Sequence, residues 1–170
     1  TAGMMLADMG ADVIKVEKLP GGDDSRSYTE PQVNGVSAPF MILNRNKRGI
    51  RLDLKKPEGL AVLLRLTKDA DILVEGFRPG VMDKLGAGYA ALSAVNPRIV
   101  YCSITGYGQD GPYAQRAGHD INYIGYAGVG DQIGAAGGPP VLPNFQIADL
   151  LGGALVPAMG VVAEEARALG

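Results

Sequence analysis

Three residues of this sequence are of types suited to proton transfer. The single histidine, His119, precedes Asp120 in the segment GHDINY, and Asp149 follows thirty positions after the histidine in FQIADLLGG. An imidazole serves as base or acid near neutral pH, whereas a carboxylate must be buried before its pKa reaches that range. Two simpler interpretations stay open, because a lone histidine is often only hydrogen-bonded and an aspartate opening an apolar helix fits a cap.

Basic residues form clusters that could hold phosphate groups. Lysine ammonium groups and forked arginine guanidinium groups both bind phosphates, and Arg78 lies in a turn directly after a predicted strand, where ligand crevices form. The alternative is a solvated charged rim. The two clusters comprise Lys15 and Lys18, and then Arg45, Lys47, Arg48, Arg51, Lys55 and Lys56. The same alternative applies to Arg78 and Lys84.

Several other kinds of site are excluded as first interpretations. The glycine-rich stretches GAGY and GAAGG match neither a dinucleotide fingerprint nor a phosphate-binding P-loop, and one histidine with one cysteine is too few for a zinc site. We therefore expect no metal and no permanently bound cofactor. Cys102, the only cysteine, lies in the apolar run RIVYCSITG, which predicts a buried structural thiol in a reducing compartment.

Composition indicates a globular protein without a strong overall charge. Hydrophobic residues make up 46% and charged residues 20%, and 16 basic against 18 acidic side chains give a formal charge of −2. That balance provides no field for binding nucleic acid or an anionic membrane. No apolar run reaches the roughly 18 residues of a spanning helix, so we expect a cytoplasmic protein.

Strand-period and helix-period segments alternate along the chain, which predicts an α/β fold with parallel strands and crossover helices. The strands are expected side by side at residues 12–17, 49–53, 71–75 and 98–105. A helix over residues 57–68 begins with a proline and is expected to cover the sheet. Its predicted inner face consists of Leu60, Ala61, Leu63 and Leu64.

The remaining segments predict short helices and two long loops. Residues 79–95 are typical of two helices separated by a turn at residues 86–88, and residues 20–39 and 134–143 are polar and glycine-bearing enough to form loops. Helical patterns lie close to both ends, over residues 2–9 and from 147 to about 169. We therefore expect the chain to be part of a longer protein.

Five successive blocks resemble the family III CoA-transferase superfamily, of the CaiB/BaiF type. Within them, AGHDINY followed by Asp149 is most similar to the 2-methylacyl-CoA racemase branch, and many transferases of the family carry tyrosine at the position of His119. The blocks are GADVIKVEK, NRNKRGIRLDLKKPEG, ADILVEGFRPGVMDKLG, YCSITGYGQDGPYAQRAGHDINY and IADLLGGALVPAMGVVA.

The resemblance implies a fold and an assembly. Residues 1–170 correspond to a Rossmann-like large domain without its first strand, its small C-terminal domain and its returning segment. Family members form interlocked homodimers, and a glutamate from outside this region supports the aspartate that matches Asp120. These features imply a homodimer for the longer protein.

The resemblance also implies two chemistries. In the racemases a histidine and an aspartate flank the α-carbon of an acyl-CoA thioester, so His119 and Asp149 would exchange its proton on opposite faces, with amides near Gly118 to Asp120 or a helix end stabilising the enolate. In the transferases the residue at Asp149 attacks the thioester, giving an anhydride and then an aspartyl-CoA thioester. An inactive CoA-binding or dimerisation module is a third hypothesis.

Coenzyme A enters as part of the acyl-CoA substrate in this family. Lysine at two of the contact positions, Lys18 and Lys84, stands where arginine is common in the racemases, so the charge is kept without bidentate geometry. The contacts implied by the resemblance are Lys18, Leu52, Asp53, Leu54, Lys55, Gly76, Phe77, Arg78, Lys84, and residues 118–123, which include Gly118 and Tyr123.

Overall fold

The computed structural model of the protein describes residues 1–152, which form parallel strand pairs flanked by short helices. The strands are Val13–Lys18 (β1), Gln32–Val33 (β2), Val36–Ser37 (β3), Lys47–Leu52 (β4), Ile72–Glu75 (β5) and Val100–Ser103 (β6). The helices are Ala2–Asp8 (α1), Ala38–Asn44 (α2), Pro57–Thr67 (α3), Val81–Lys84 (α4), Tyr89–Val95 (α5) and Asp120–Tyr126 (α6). Residues 147–152 begin a final helix, and residues 153–169 of the predicted helix lie outside the described part.

The predicted parallel strands are confirmed, but their arrangement in one sheet is wrong for the described residues. β1 pairs in parallel with β4, and β5 pairs in parallel with β6, as two separate two-stranded sheets. No backbone ladder joins the two pairs within residues 1–152. Side chains of both pairs, such as Ile50 and Leu73, instead pack against one apolar core, so side-chain packing connects them.

Helix α3 covers this core as predicted, with one residue misplaced. Leu63 is buried, Leu60 and Leu64 pack against the core cluster, and Thr67 closes the same face by donating its hydroxyl to the Leu63 carbonyl at 3.0 Å. Ala61 was expected on this face and is exposed. Successive helical residues point about 100° apart, which turns Ala61 away from the face centred on Leu60 and Leu64.

The predicted pair of short helices is also confirmed as α4 and α5. A turn at residues 86–88 separates them and places Ala87 and Leu92, both fully buried, in the core. A Cβ at Gly88 would lie 1.8 Å from the Asp83 carboxylate, so glycine lets the Asp83 side chain pack against this turn. Residues 134–143 form the expected loop. Within residues 1–152, no helix is long and apolar enough to cross a membrane.

The predicted loop over residues 20–39 contains a short 3-10 segment and the β2–β3 hairpin, and a partly buried ion pair between Arg26 and Glu17 anchors it to β1. The Glu17 side chain, only 3% exposed, accepts hydrogen bonds from Arg26 Nε at 2.7 Å and Nη2 at 2.8 Å. The backbone N–H of Asp23 donates to the same carboxylate at 3.0 Å. Arg26 also stacks over the Phe40 ring, 3.9 Å from its centroid.

Removing Arg26 is expected to destabilise the protein by about 2 kcal/mol, because Arg26→Ala leaves a buried carboxylate without its partly exposed partner. These hydrogen bonds lower the pKa of Glu17 from 4.5 to about 2, so their contribution is complete above pH 4.5 and is lost as the pH falls towards 2. Urea unfolding at pH 7 and at pH 3 measures both effects. Arg48→Ala, which removes an exposed pair with Asp12, is the control and should change little. Equal losses in the two variants would contradict this account.

Candidate active site

His119 lies at the start of α6, where the side chain of Asn122 holds its backbone. The His119 N–H donates to Asn122 Oδ1 at 3.0 Å, and the Asn122 N–H donates to the His119 carbonyl at 2.9 Å. These two bonds satisfy backbone groups at the helix N-terminus. The residue itself is exposed, so its imidazole is accessible to a ligand.

Asp120 is buried and connects α6 to the final helix. Its Oδ1 accepts the backbone N–H of Asp149 at 3.0 Å, across 29 residues of chain. Asp149 lies inside the first turn of that helix, after Ile147, and not at the capping position. It is therefore the recipient of a cap from Asp120, which supplies an acceptor for one of the free N–H groups of the turn.

Two neighbouring charged groups, Asp120 and His119, affect the pKa of Asp149. Partial burial raises the pKa of Asp149 above its ordinary value, the nearby charge of Asp120 raises it further, and His119 acts in the opposite direction. Asp149 is still exposed as a residue. His119 and Asp149, singled out by sequence, thus lie within electrostatic reach of one another.

A cluster of tyrosines, which the sequence reasoning did not identify, packs behind the turn that carries His119. The Tyr123 hydroxyl donates to the Gly118 carbonyl at 2.7 Å, and its ring meets Tyr107 edge to face at a centroid distance of 5.2 Å. The cluster also contains Tyr113 and Tyr126, each in contact with Tyr107. Repeated tyrosines on both sides of GHD are the only sequence signal for it.

Two glycines let the Tyr123 ring approach the backbone. A Cβ at Gly106 would lie 2.0 Å from Cε1 of Tyr123, and one at Gly118 would lie 2.7 Å from the same atom. Neither distance is compatible with a side chain. The ring therefore fixes the main chain immediately before His119.

The predicted coenzyme A contacts outside residues 118–123 fall into two groups, one following β1 and β4 and the other following β5. Lys18 ends β1, where it forms an exposed ion pair with Asp24, and the side chain of Leu52 at the end of β4 is buried in the core. The carboxylate of Asp53 accepts the N–H of Lys55 at 3.1 Å, which shapes the turn into α3. Leu54 also packs against the core, so its main chain is the part left for a ligand.

The second group follows β5 and approaches the catalytic candidates. Gly76, Phe77 and Arg78 are exposed in the loop after β5, and Lys84 ends α4. Burial raises the pKa of Tyr123, the charges of Tyr107 and Asp149 raise it further, and Arg78 lowers it. Arg78 therefore lies within electrostatic reach of the same tyrosine as Asp149.

A pocket of about 230 Å³ opens beside this loop, at the carboxyl ends of β5 and β6. Glu75 and Ser103, which line it, were not identified from sequence, because their roles depend on contact between two strands. Cys102 precedes Ser103 and is half-buried, where the sequence predicted a buried thiol. Burial and the charge of Glu75 raise the pKa of this thiol.

The geometry supports two kinds of chemistry. An accessible imidazole and a carboxylate of raised pKa can each exchange a proton with a bound substrate. An accessible carboxylate alone can act as a nucleophile towards a thioester. Both kinds of chemistry use the carboxylate of Asp149.

Comparisons with known proteins give the family. The model of CoA-transferase family III matches residues 1–168. A succinate–glutarate CoA-transferase of Agrobacterium fabrum is 44% identical over 158 residues, covering 89% of this chain and 40% of that protein. The human α-methylacyl-CoA racemase is 44% identical over 161 residues, covering 94% of this chain and 38% of that protein.

A solved structure agrees. A CaiB/BaiF family protein from Brucella suis superposes with a TM-score of 0.92 at 41% identity, covering 98% of this chain and 45% of that one. The chain thus spans about 40% of the length of the curated relatives described above. With nearly all of its residues matched by the family model, the chain belongs to CoA-transferase family III.

Proposed function

We propose that the enzyme carrying this chain acts on acyl-CoA thioesters and epimerises the α-carbon of 2-methylacyl-CoA substrates. The observation that carries this proposal is the bond from Asp149 N–H to the Asp120 carboxylate, which holds Asp149 beside the turn that presents His119. A racemase needs two groups that exchange protons on opposite faces of one carbon. His119 and Asp149 are accessible groups of suitable chemistry.

In the proposed reaction, one of the two groups removes the α-proton and the other returns a proton to the opposite face. The electron pair of the broken C–H bond moves onto the thioester oxygen as an enolate and returns to carbon when the second proton arrives. Starting from the other enantiomer, the two groups exchange roles. The raised pKa of Asp149 favours this exchange of roles. A carboxyl group whose pKa lies closer to neutral pH releases a proton and takes one up more readily.

The enolate oxygen needs donors, and the structure narrows the choice. The His119 N–H, within the predicted segment Gly118 to Asp120, is already bonded to Asn122 and is therefore not free. The remaining candidates are the Gly118 and Asp120 amides and the first turn of the final helix. Donors fixed before the reaction stabilise developing charge most effectively.

A CoA-transferase is the second candidate. The 44% identity to a succinate–glutarate CoA-transferase favours it as strongly as the racemase relative favours the first proposal. Asp149 would then attack the donor thioester, release CoA as a thiolate and become an acyl anhydride. The CoA thiolate would attack the Asp149 carbonyl, release the donor carboxylate and leave an aspartyl-CoA thioester, and the acceptor carboxylate would take CoA by the same two steps in reverse. An inactive binding module is the third candidate, and turnover by this chain alone would remove it.

The test is proton exchange in deuterated water with a single-enantiomer 2-methylacyl-CoA, with and without a carboxylate acceptor. The racemase proposal expects α-deuterium incorporation with loss of stereochemistry and no requirement for acceptor. Acceptor-dependent formation of a new thioester without exchange would replace it by the transferase. NMR follows the exchange, and chromatography separates the CoA products.

Substrate, assembly and location complete the proposal. Coenzyme A would arrive within the substrate, with no separate bound cofactor, and the enzyme would be a cytoplasmic homodimer with no nucleic-acid or membrane partner. Analytical ultracentrifugation of the whole enzyme tests the dimer, which a monomer at micromolar concentration would contradict.

A further inference from the structure

Glu75, the last residue of β5, fastens the loop of residues 76–78 with both oxygens of its carboxylate. Oε2 accepts the backbone N–H of Phe77 at 2.7 Å, and Oε1 accepts the hydroxyl of Ser103. Ser103 is the residue directly opposite Glu75 in the parallel register of β5 and β6. One side chain thus joins the loop to the neighbouring strand.

Backbone contacts strengthen this attachment at both ends of the loop. The Ile104 N–H donates to the Glu75 carbonyl at 2.9 Å, and the side-chain amide of Gln115 donates to the Pro79 carbonyl at 3.3 Å. Between these attachments the Phe77 side chain is 47% exposed and Arg78 is also exposed. An aromatic ring and a guanidinium on a fixed backbone form a preorganised surface for an anionic nucleotide.

We propose that Glu75 is a positioning residue for the nucleotide portion of coenzyme A, acting through the 76–78 loop and not by touching the ligand. The inference rests on the proposed function, since it needs CoA as the ligand of this loop. Both oxygens of Glu75 are occupied by donors of the protein itself, so its charge supports the loop. Hydrogen bonds to a charged acceptor are the stronger kind and hold backbone geometry well.

Glu75→Ala is expected to weaken CoA binding about tenfold, because the loop loses its anchor and must be ordered again on binding. For an acyl-CoA substrate we expect the same rise in KM with kcat changed less than about twofold. For the matching acyl-pantetheine thioester, which lacks the nucleotide, kcat/KM should be unchanged. Calorimetry with CoA and kinetics with both thioesters measure these quantities.

Glu75→Gln provides rescue, because its amide oxygen can accept from Phe77 while its amide nitrogen donates to the Ser103 hydroxyl. It should recover most of the CoA affinity. Ser103→Ala, which removes one of the two bonds, should fall between Glu75→Ala and the unaltered protein. Asp71→Asn at the opposite end of β5 is the control and should bind CoA normally.

Hydrogen exchange of the Phe77 amide gives a readout independent of activity. It should be faster in Glu75→Ala than in the unaltered protein and be restored in Glu75→Gln. Unchanged CoA affinity in a folded Glu75→Ala variant would overturn the inference alone. An equal defect with acyl-pantetheine would also overturn it, and failure of the unaltered enzyme to bind CoA would remove the proposed function together with it.

Discussion

Replacing Asp149 by asparagine in the enzyme that carries this chain is expected to lower kcat by about 10³- to 10⁴-fold with little change in KM, because proton transfer or nucleophilic attack at that carboxylate is lost. The effect belongs to both candidate chemistries. If the enzyme is a racemase, the variant still exchanges the α-proton of one enantiomer, through His119 on its own face. Asp149→Asn therefore abolishes interconversion while leaving one-sided exchange, which NMR in deuterated water detects.

Matched variants separate this role from structural damage. Asp131→Asn alters an exposed carboxylate in the 3-10 segment after α6 and should leave kcat unchanged. Asp120→Asn keeps an oxygen that can accept the Asp149 N–H but removes the charge that raises the pKa of Asp149, so the corresponding limb of the pH profile moves to lower pH. Asp120→Ala loses the bond as well and should lower kcat further. Full activity in Asp149→Asn would contradict both candidate mechanisms.

Replacing His119 by alanine is expected to lower racemisation by about 10²- to 10⁴-fold, because the proton on one face of the α-carbon then has no partner. Exchange should persist only for the enantiomer whose proton faces Asp149, the opposite preference from Asp149→Asn. This mirror-image outcome is specific to a two-base mechanism. It is measured with each pure enantiomer separately.

The same variant distinguishes the two candidate functions. A transferase that uses Asp149 as nucleophile should keep most of its turnover without His119, and hydroxylamine should trap its activated aspartyl intermediate. An unchanged rate of epimerisation in His119→Ala would contradict the racemase proposal. His119→Asn retains a polar side chain of similar position and serves as the control for local packing.

Local sequence determined the elements and the family. The ends of the four core strands all lie within two residues of their predicted positions, and α3 ends one residue earlier than predicted. These predictions succeed because alternation and helical periodicity depend on nearest neighbours. Motif blocks such as GFRPG and GHDINY similarly indicated the family. The match of the family model to residues 1–168 confirms it.

Tertiary structure decided how those elements cooperate. Separation of the strands into two pairs, the bond from Asp149 to Asp120 across 29 residues, and the bond from Ser103 to Glu75 depend on contacts between segments that are distant in sequence. The close approach of Tyr123 to Gly106 is another. Sequence spacing identified His119 and Asp149 as reactive types, but their shared environment depends on long-range packing and burial, which no local pattern encodes.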